Sequence, residues 1–231
     1  MQLKNNNFLN LKNKTAVVIG GSGLIGKQVI NDFINHNAKV ISLDIKKKTL
    51  KSKKNNYSKN LKYINFDCAN INNFEYEYNQ IINKIKRIDI FINCSYPINK
   101  NWKNSSFKEI KFDNYLYHLN SQLSLQTWIA LLTAKKMKKN SIKGSIIMLS
   151  SIYGFLAQNK NIYFGTNMNE NVTYSVIKGG IINLTRQMAA NYGKYGIRVN
   201  CLSPGAIKGH VAGNRKNQTI KFINIIQKIA R

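Results

Sequence analysis

Short apolar runs alternate with longer stretches of helical spacing along almost the whole chain. Thr15 to Ile19, Lys39 to Leu43, Leu61 to Phe66, Ile88 to Asn93, Ser145 to Leu149 and Arg198 to Leu202 are short and apolar, and each is predicted to be a strand. Leu24 to Asn35 places Leu24, Ile25, Val29, Ile30, Phe33 and Ile34 at helical intervals. Ile71 to Ile85, Phe112 to Lys139 and Tyr174 to Tyr192 are predicted helices too, the second of them long and amphipathic. Lys46 to Asn60 is polar and reads as a loop or an exposed helix, and Ile220 to Ile229 as a last helix. Strands alternating with helices build βαβ units, hence a parallel sheet. Strands that are apolar on both sides are what burial under two helical layers demands. The expected architecture is α/β: a doubly wound parallel sheet of six strands with helices on both faces. With no internal repeat and prolines only at Pro97 and Pro204, residues 1–231 read as a single domain.

Composition narrows the class further. A chain of 231 residues that is 43% hydrophobic and 10% aromatic can bury a core unaided. No apolar run reaches the roughly 18 residues of a membrane span, and Met1 to Lys14 lacks the apolar stretch of a secretory signal. Cys68, Cys94 and Cys201 are too widely spaced for a metal-ligand motif, and His36, His118 and His210 are isolated, so no metal is expected. Reduced thiols and a cytoplasmic location are the matching expectation.

The formal charge of +27 would attract polyanions and phosphorylated small molecules. Yet 35 Asn, 32 Ile and 31 Lys indicate a codon bias toward AT, and the lysines are scattered apart from Lys46 to Lys54. Only 5 of the basic residues are Arg, the residue that specific nucleic-acid sites favour, so nucleic acid is not the expected partner.

The first predicted strand runs directly into Gly20-Gly21-Ser22-Gly23-Leu24-Ile25-Gly26, which opens the first helix. Glycine permits a tight turn and close approach of backbone to a pyrophosphate, and the helix start offers free N–H groups to it. Asp44 ends the second strand, where a carboxylate binds a ribose 2′-hydroxyl. A carboxylate there would repel a 2′-phosphate and so favours NAD, while Lys46, Lys47 and Lys48 supply nearby cations that keep NADP open.

Tyr174 and Lys178 stand four apart at the start of a helix and therefore share a face. An adjacent ammonium favours the phenolate, which would let the phenol exchange a proton with a substrate hydroxyl. The pair follows a strand ending in Ser150-Ser151, so it is expected at the carboxyl ends of the strands, beside the glycine turn.

Taken together, these residues resemble the short-chain dehydrogenase/reductase family, over about Lys14 to Gly205. The resemblance implies a Rossmann-type NAD(P)-binding domain. It also implies an oxidoreductase that interconverts a secondary alcohol and a ketone. By that resemblance Tyr174 is the general acid/base, and Lys178 lowers its pKa and holds the nicotinamide ribose. Ser151 bonds the substrate oxygen, and Asn120 helps to position the lysine. Gly20, Ser22, Gly23, Leu24, Ile25 and Gly26 hold the pyrophosphate, Asp67 sits by the adenine, and Asn93, Pro204 and Gly205 line the cofactor cleft. Ser95-Tyr96-Pro97, Ser151-Ile152-Tyr153-Gly154, Gly165-Thr166-Asn167-Met168 and the 23 residues from Ser151 to Tyr174 are similar to the branch acting in flagellin modification and surface-sugar biosynthesis. That similarity implies an anionic sugar substrate, phosphorylated or nucleotide-linked. The family also implies a homodimer through the helices of 112–139 and 174–192, although Leu123, Ile129, Leu132, Ile181 and Leu184 on those helices also suit a core.

The chain departs from the family at its glycine spacing, at Asn93-Cys94-Ser95-Tyr96, and after Pro204-Gly205, where Gly209 stands near the place of a threonine. It also ends at Arg231 without a seventh strand, which is expected to leave the sixth strand as an exposed edge; the chain is then either a shortened product or a member with a reduced sheet. Two rivals follow: a dinucleotide-binding relative impaired in catalysis and, on charge alone, a basic nucleic-acid-binding protein.

Overall fold

The structure, a computed structural model, describes residues 10–45, 57–165, 168–205 and 207. The order of elements is β1 (Thr15–Ile19), α1 (Leu24–Asn35), β2 (Lys39–Asp44), the single turn α2 (Tyr57–Asn60), β3 (Leu61–Asn65), α3 (Phe74–Asn83), β4 (Ile90–Asn93), α4 (Phe112–Leu119), a π turn (Asn120–Ser124), α5 (Leu125–Lys139), β5 (Ser145–Leu149), α6 (Val172–Tyr192) and β6 (Arg198–Leu202). The predicted helix at Ile220–Ile229, the lysines at 46–48, Thr166-Asn167 and Gly209 lie outside the described residues.

All six strands are parallel, in the order β3-β2-β1-β4-β5-β6, a Rossmann-type arrangement. The chain moves outward from β1 to β3 and then returns to lay β4 against the other side of β1. Loops leaving β1 and β4 therefore part in opposite directions and open a crevice at the carboxyl ends of the strands. Among the described residues β6 pairs with β5 alone.

Alternation along β1 feeds two separate cores. Val17 and Ile19 join the larger one with Phe91, Ile129, Ile146, Ile177 and Ile181, beneath α3, α5 and α6. Ala16 and Val18 join the smaller with Ile30, Ile34, Val40 and Ile92, beneath α1. Burial on both faces explains why these strands are apolar throughout rather than alternating. At the opposite end of the sheet, buried Asp89 ties β1 to β4. It accepts from the Thr15 backbone N–H at 3.0 Å and from Arg87 Nε at 2.7 Å, with Lys14 Nζ 3.5 Å away.

The expected unbroken helix at Phe112 to Lys139 is corrected by the structure. It runs as α4 and α5 joined by the π turn at Asn120–Ser124. One face of α4 bonds sideways to the segment after β4, whereas α5 buries Ile129, Ala130 and Met137 in the core. A turn with one extra residue reconciles these two directions. The helix predicted at Ile71 to Ile85 is shorter, Phe74–Asn83, because an asparagine turn, Asn70 to Asn73, precedes it.

Candidate active site

A cleft of about 640 Å³ opens at the carboxyl ends of the strands. Its floor begins with the glycine turn. Gly20 has φ +72°, and a Cβ there would stand 2.6 Å from the Ser95 backbone nitrogen. This is where the chain leaves β1 and β4 side by side, before the two loops diverge, so only glycine fits. A Cβ on Gly26 would collide with the Gly20 carbonyl, which fixes how closely α1 approaches the turn. Gly23 caps α1 without any side-chain bond, so first-turn N–H groups face the cleft uncapped. Asp44, at the end of β2, accepts a hydrogen bond from the Ser22 backbone N–H at 2.9 Å. The carboxylate is thereby fastened to the same turn that presents those N–H groups.

Of the residues singled out from sequence, Gly20, Ser22, Gly23, Leu24, Ile25, Asp44, Asp67, Tyr174, Lys178, Pro204 and Gly205 line this one cleft. Gly26 lies behind the turn. Asn93 is buried beneath the wall, where its Oδ1 accepts from Ser95 N at 3.0 Å and Ser95 Oγ at 2.6 Å. Asn120 opens the π turn and is not among the lining residues.

Tyr174 and Lys178 rise from the first turns of α6, whose start is capped by Asn171: its Oδ1 accepts from Tyr174 N at 2.8 Å. The Lys178 ammonium donates to the Leu149 carbonyl at 3.0 Å. It stands 5.5 Å from the centre of the Tyr174 ring and 5.7 Å from that of Tyr96. Burial, only slightly offset by Cys201, pulls Lys178 down to about 8. Burial likewise pushes the Tyr174 phenol above its ordinary value, while a hydrogen bond with the Ser151 side chain draws it back. Ser150 supports the helix itself by donating to the Lys178 carbonyl at 2.7 Å.

The sequence reading passed over the aromatic surround. Tyr96 and Trp102 stand 6.2 and 6.1 Å from Tyr174, ring centre to ring centre, and both meet it nearly edge-on. Buried His118 packs 4.5 Å from Trp102. A visible signal was the run of polar residues at 114, 118, 122 and 126, on what should have been the apolar side of a helix.

Among the described residues no group of three or more His, Cys, Asp or Glu side chains could hold a metal ion, and no helix is long and apolar enough to cross a membrane.

Comparison with known proteins agrees with this geometry. The short chain dehydrogenase family pattern matches residues 14–220. Post-translational flagellin modification protein A of Campylobacter coli is 32% identical over 201 residues, covering 85% of this chain and 78% of that one. The 3-oxoacyl-[acyl-carrier-protein] reductase of Rickettsia typhi is 29% identical, covering 96% of this chain and 83% of its own. A solved short chain dehydrogenase from Leptospira borgpetersenii with bound NAD+ superposes with a TM-score of 0.76 at 28% identity, over 97% of this chain and 80% of the other. A uniform parallel sheet, a glycine turn beneath it and a tyrosine–lysine pair across the cleft thus coincide with the sequence match: the chain belongs to the short-chain dehydrogenase/reductase family of oxidoreductases.

Proposed function

We propose that this protein oxidises a secondary alcohol, or reduces the matching ketone, with a nicotinamide dinucleotide held in the 640 Å³ cleft. The observation that carries the reading is that Tyr174 and Lys178 open onto the same cleft as the uncapped start of α1. The residues present fit such a group. Glycines leave room at the turn, backbone N–H groups suit a pyrophosphate, and Asp44 stands where a ribose hydroxyl would donate to it. When bound, the nicotinamide supplies the two-electron exchange with the reacting carbon.

The chain's own residues do the rest. Tyr174 Oη takes the hydroxyl proton during oxidation and returns it during reduction. Ser151, whose side chain helps to lower the phenol's pKa, orients the substrate oxygen toward Tyr174. Lys178, whose ammonium donates to the Leu149 carbonyl at the cleft wall, would hold the ribose of the nicotinamide half. Asn120 sits at the π turn, from which it supports the lysine at a distance. Asp67 borders the adenine end and Asn93 holds Ser95 in place beneath it. Asp44 favours NAD over NADP, since a carboxylate repels a 2′-phosphate.

The substrate implied by the resemblance to the flagellin-modification and surface-sugar branch is an anionic sugar, phosphorylated or nucleotide-linked, and the charge of +27 suits it. A homodimer through α4, α5 and α6 belongs to the same reading. Ile129, Leu132 and Ile181 are core, but Phe112, Leu116, Tyr117, Trp128 and Val176 remain exposed for a partner copy.

A thermal-shift comparison of NAD, NADH, NADP and NADPH tests the coenzyme reading, because stabilisation follows RT ln(1 + [L]/Kd). NAD and NADH should raise the midpoint most; silence toward all four would overturn the reading. Tyr174→Phe should keep NADH binding and lower kcat by about 10²-fold or more, and unchanged turnover would remove the assigned role.

A further inference from the structure

Beside the cleft, one stripe of helix grips one stretch of loop. Asn114, His118, Gln122 and Gln126 follow at intervals of four along α4, the π turn and α5, and all four are buried. Each reaches the segment between β4 and α4. Asn114 Nδ2 donates to the Asn101 carbonyl at 2.9 Å and to Ser105 Oγ at 3.2 Å. His118 Nε2 lies 3.1 Å from Asn99 Oδ1. Gln122 Nε2 donates to the Pro97 carbonyl at 2.9 Å, and Gln126 Nε2 to the Ser95 carbonyl at 3.4 Å.

The two numberings run in step: four residues forward on the helix is two residues back on the loop. Between Ser95 and Asn99, four helical residues rising about 6 Å meet two loop residues that span up to about 6.6 Å, so the repeats match there, and the turn Asn99–Trp102 then brings the Asn101 carbonyl round to Asn114. An unbroken α-helix would spoil this, because residues four apart stand about 40° further round at each step. The wider π turn at Asn120–Ser124 advances less per residue and winds the stripe back.

His118 is locked into one tautomer. Asn99 Oδ1 already accepts from the Asn101 backbone N–H at 2.9 Å, and a carbonyl oxygen cannot donate, so His118 Nε2 carries the proton. Its Nδ1 is then the acceptor facing Gln122 Nε2 at 3.4 Å. Gln122 Oε1 and Asn114 Oδ1 are buried and accept no hydrogen bond among the described residues. Bringing four polar side chains out of water into one stripe carries a desolvation cost, so they are better explained by the loop they hold than by stability they add.

The rungs take alternate residues of the segment and leave Tyr96 turned toward Tyr174. Trp102 closes the group, 5.7 Å from Tyr96 and nearly perpendicular to it. The geometry points to Asn114, His118, Gln122 and Gln126 as positioning residues: a four-rung ladder that holds residues 95–102 and so fixes Tyr96 and Trp102 as an uncharged aromatic wall around the Tyr174 phenol, which the substrate must fit. This deepens the dehydrogenase reading, since it assigns what shapes the approach to its proposed acid/base.

The chain has two tryptophans, so Trp128→Phe leaves Trp102 as the sole indole emitter. In that background, Gln122→Met and His118→Leu each remove a rung while keeping most of the volume. Two readouts apply: acrylamide quenching of Trp102, and the titration of Tyr174 followed by tyrosine ring-carbon NMR, assigned by its loss in Tyr174→Phe. With the unfolding midpoint little changed, quenching should rise about twofold as the wall opens. The Tyr174 titration should move down as water reaches the phenol. Folded variants in which either readout stays at the parent value overturn the ladder. Should both variants fail to fold, Gln126→Met, at the end of the stripe, is measured instead, and its failure to fold would assign the stripe to stability alone and also overturn the proposal. Neither readout needs coenzyme or substrate, so the ladder and the dehydrogenase reading can fail separately.

Discussion

The Lys178 ammonium stands 5.5 Å from the centre of the Tyr174 ring, close enough to act on the phenol yet bonded elsewhere, to the Leu149 carbonyl. In the free protein both groups are governed chiefly by burial, which favours the neutral form of each. The pair is therefore held ready rather than already ionised toward one another.

That arrangement sets a pH dependence. Holding Lys178 at about 8 in the fold, against 10.5 ordinarily, costs the folded state about 3 kcal/mol wherever the lysine is charged in both states. Between these two values the unfolded chain holds a proton that the folded one has released, so stability contributed by this group rises with pH. Unfolding free energies of the parent and Lys178→Met, measured from pH 7 to 10, should show the parent gaining on the variant. Parallel curves would contradict the assignment.

Asp89 stabilises the fold where Lys178 costs it, although stability rises with pH through both. Its burial raises the carboxyl's pKa, but the Arg87 hydrogen bond, the Thr15 N–H and the charges of Arg87 and Lys14 outweigh that and hold it below the ordinary range. Its contribution is complete above the ordinary carboxylate value and is lost as pH falls through the lower folded one. Asp89→Asn should cost about 2 kcal/mol at pH 7, read by urea unfolding, with the gap closing in acid.

At Gly20, a positive φ and the nearness of Ser95 act together. Gly20→Ala is expected to destabilise by about 3 kcal/mol and to weaken dinucleotide binding as well. A variant with parent stability and parent NADH affinity would show that the turn tolerates a side chain.

Asp44 is fastened to the Ser22 N–H, so its charge stays where a ribose hydroxyl would arrive. Asp44→Ser should shift the ratio of NAD to NADP affinity by about tenfold toward NADP, measured by titrating each reduced coenzyme.

The inner strands β1, β4 and β5 were legible because they are apolar on both sides, the edges β3 and β6 because apolar residues alternate with exposed Lys62, Asn65, Arg198 and Asn200, and the cleft because its residues follow strand ends in order: Gly20 after β1, Asp44 closing β2, Asp67 after β3. The π turn was not legible. No residue in Asn120 to Ser124 forbids ordinary helix, and what widens it is the competition between a loop on one side and a core on the other. The aromatic wall was missed for a related reason. Trp102 lies far from Tyr174 in sequence, and only the bonds from Gln122 and His118 show why that loop stands beside it. Asn93, read as a cleft residue, is instead buried under Ser95, a distinction of depth that spacing along a chain does not encode.

The π turn also makes the helix pair tolerant of length at one place only. Because the widened turn absorbs its extra residue, losing one codon within 120–124 would restore regular helix with α4 and α5 still facing as they do. The same loss between Asn114 and His118, in regular helix, would turn Asn114 by about 100° off the loop it grips while Ile129 and Met137 stayed seated in the core. Such a deletion would leave a folded sheet whose entrance had lost its shape.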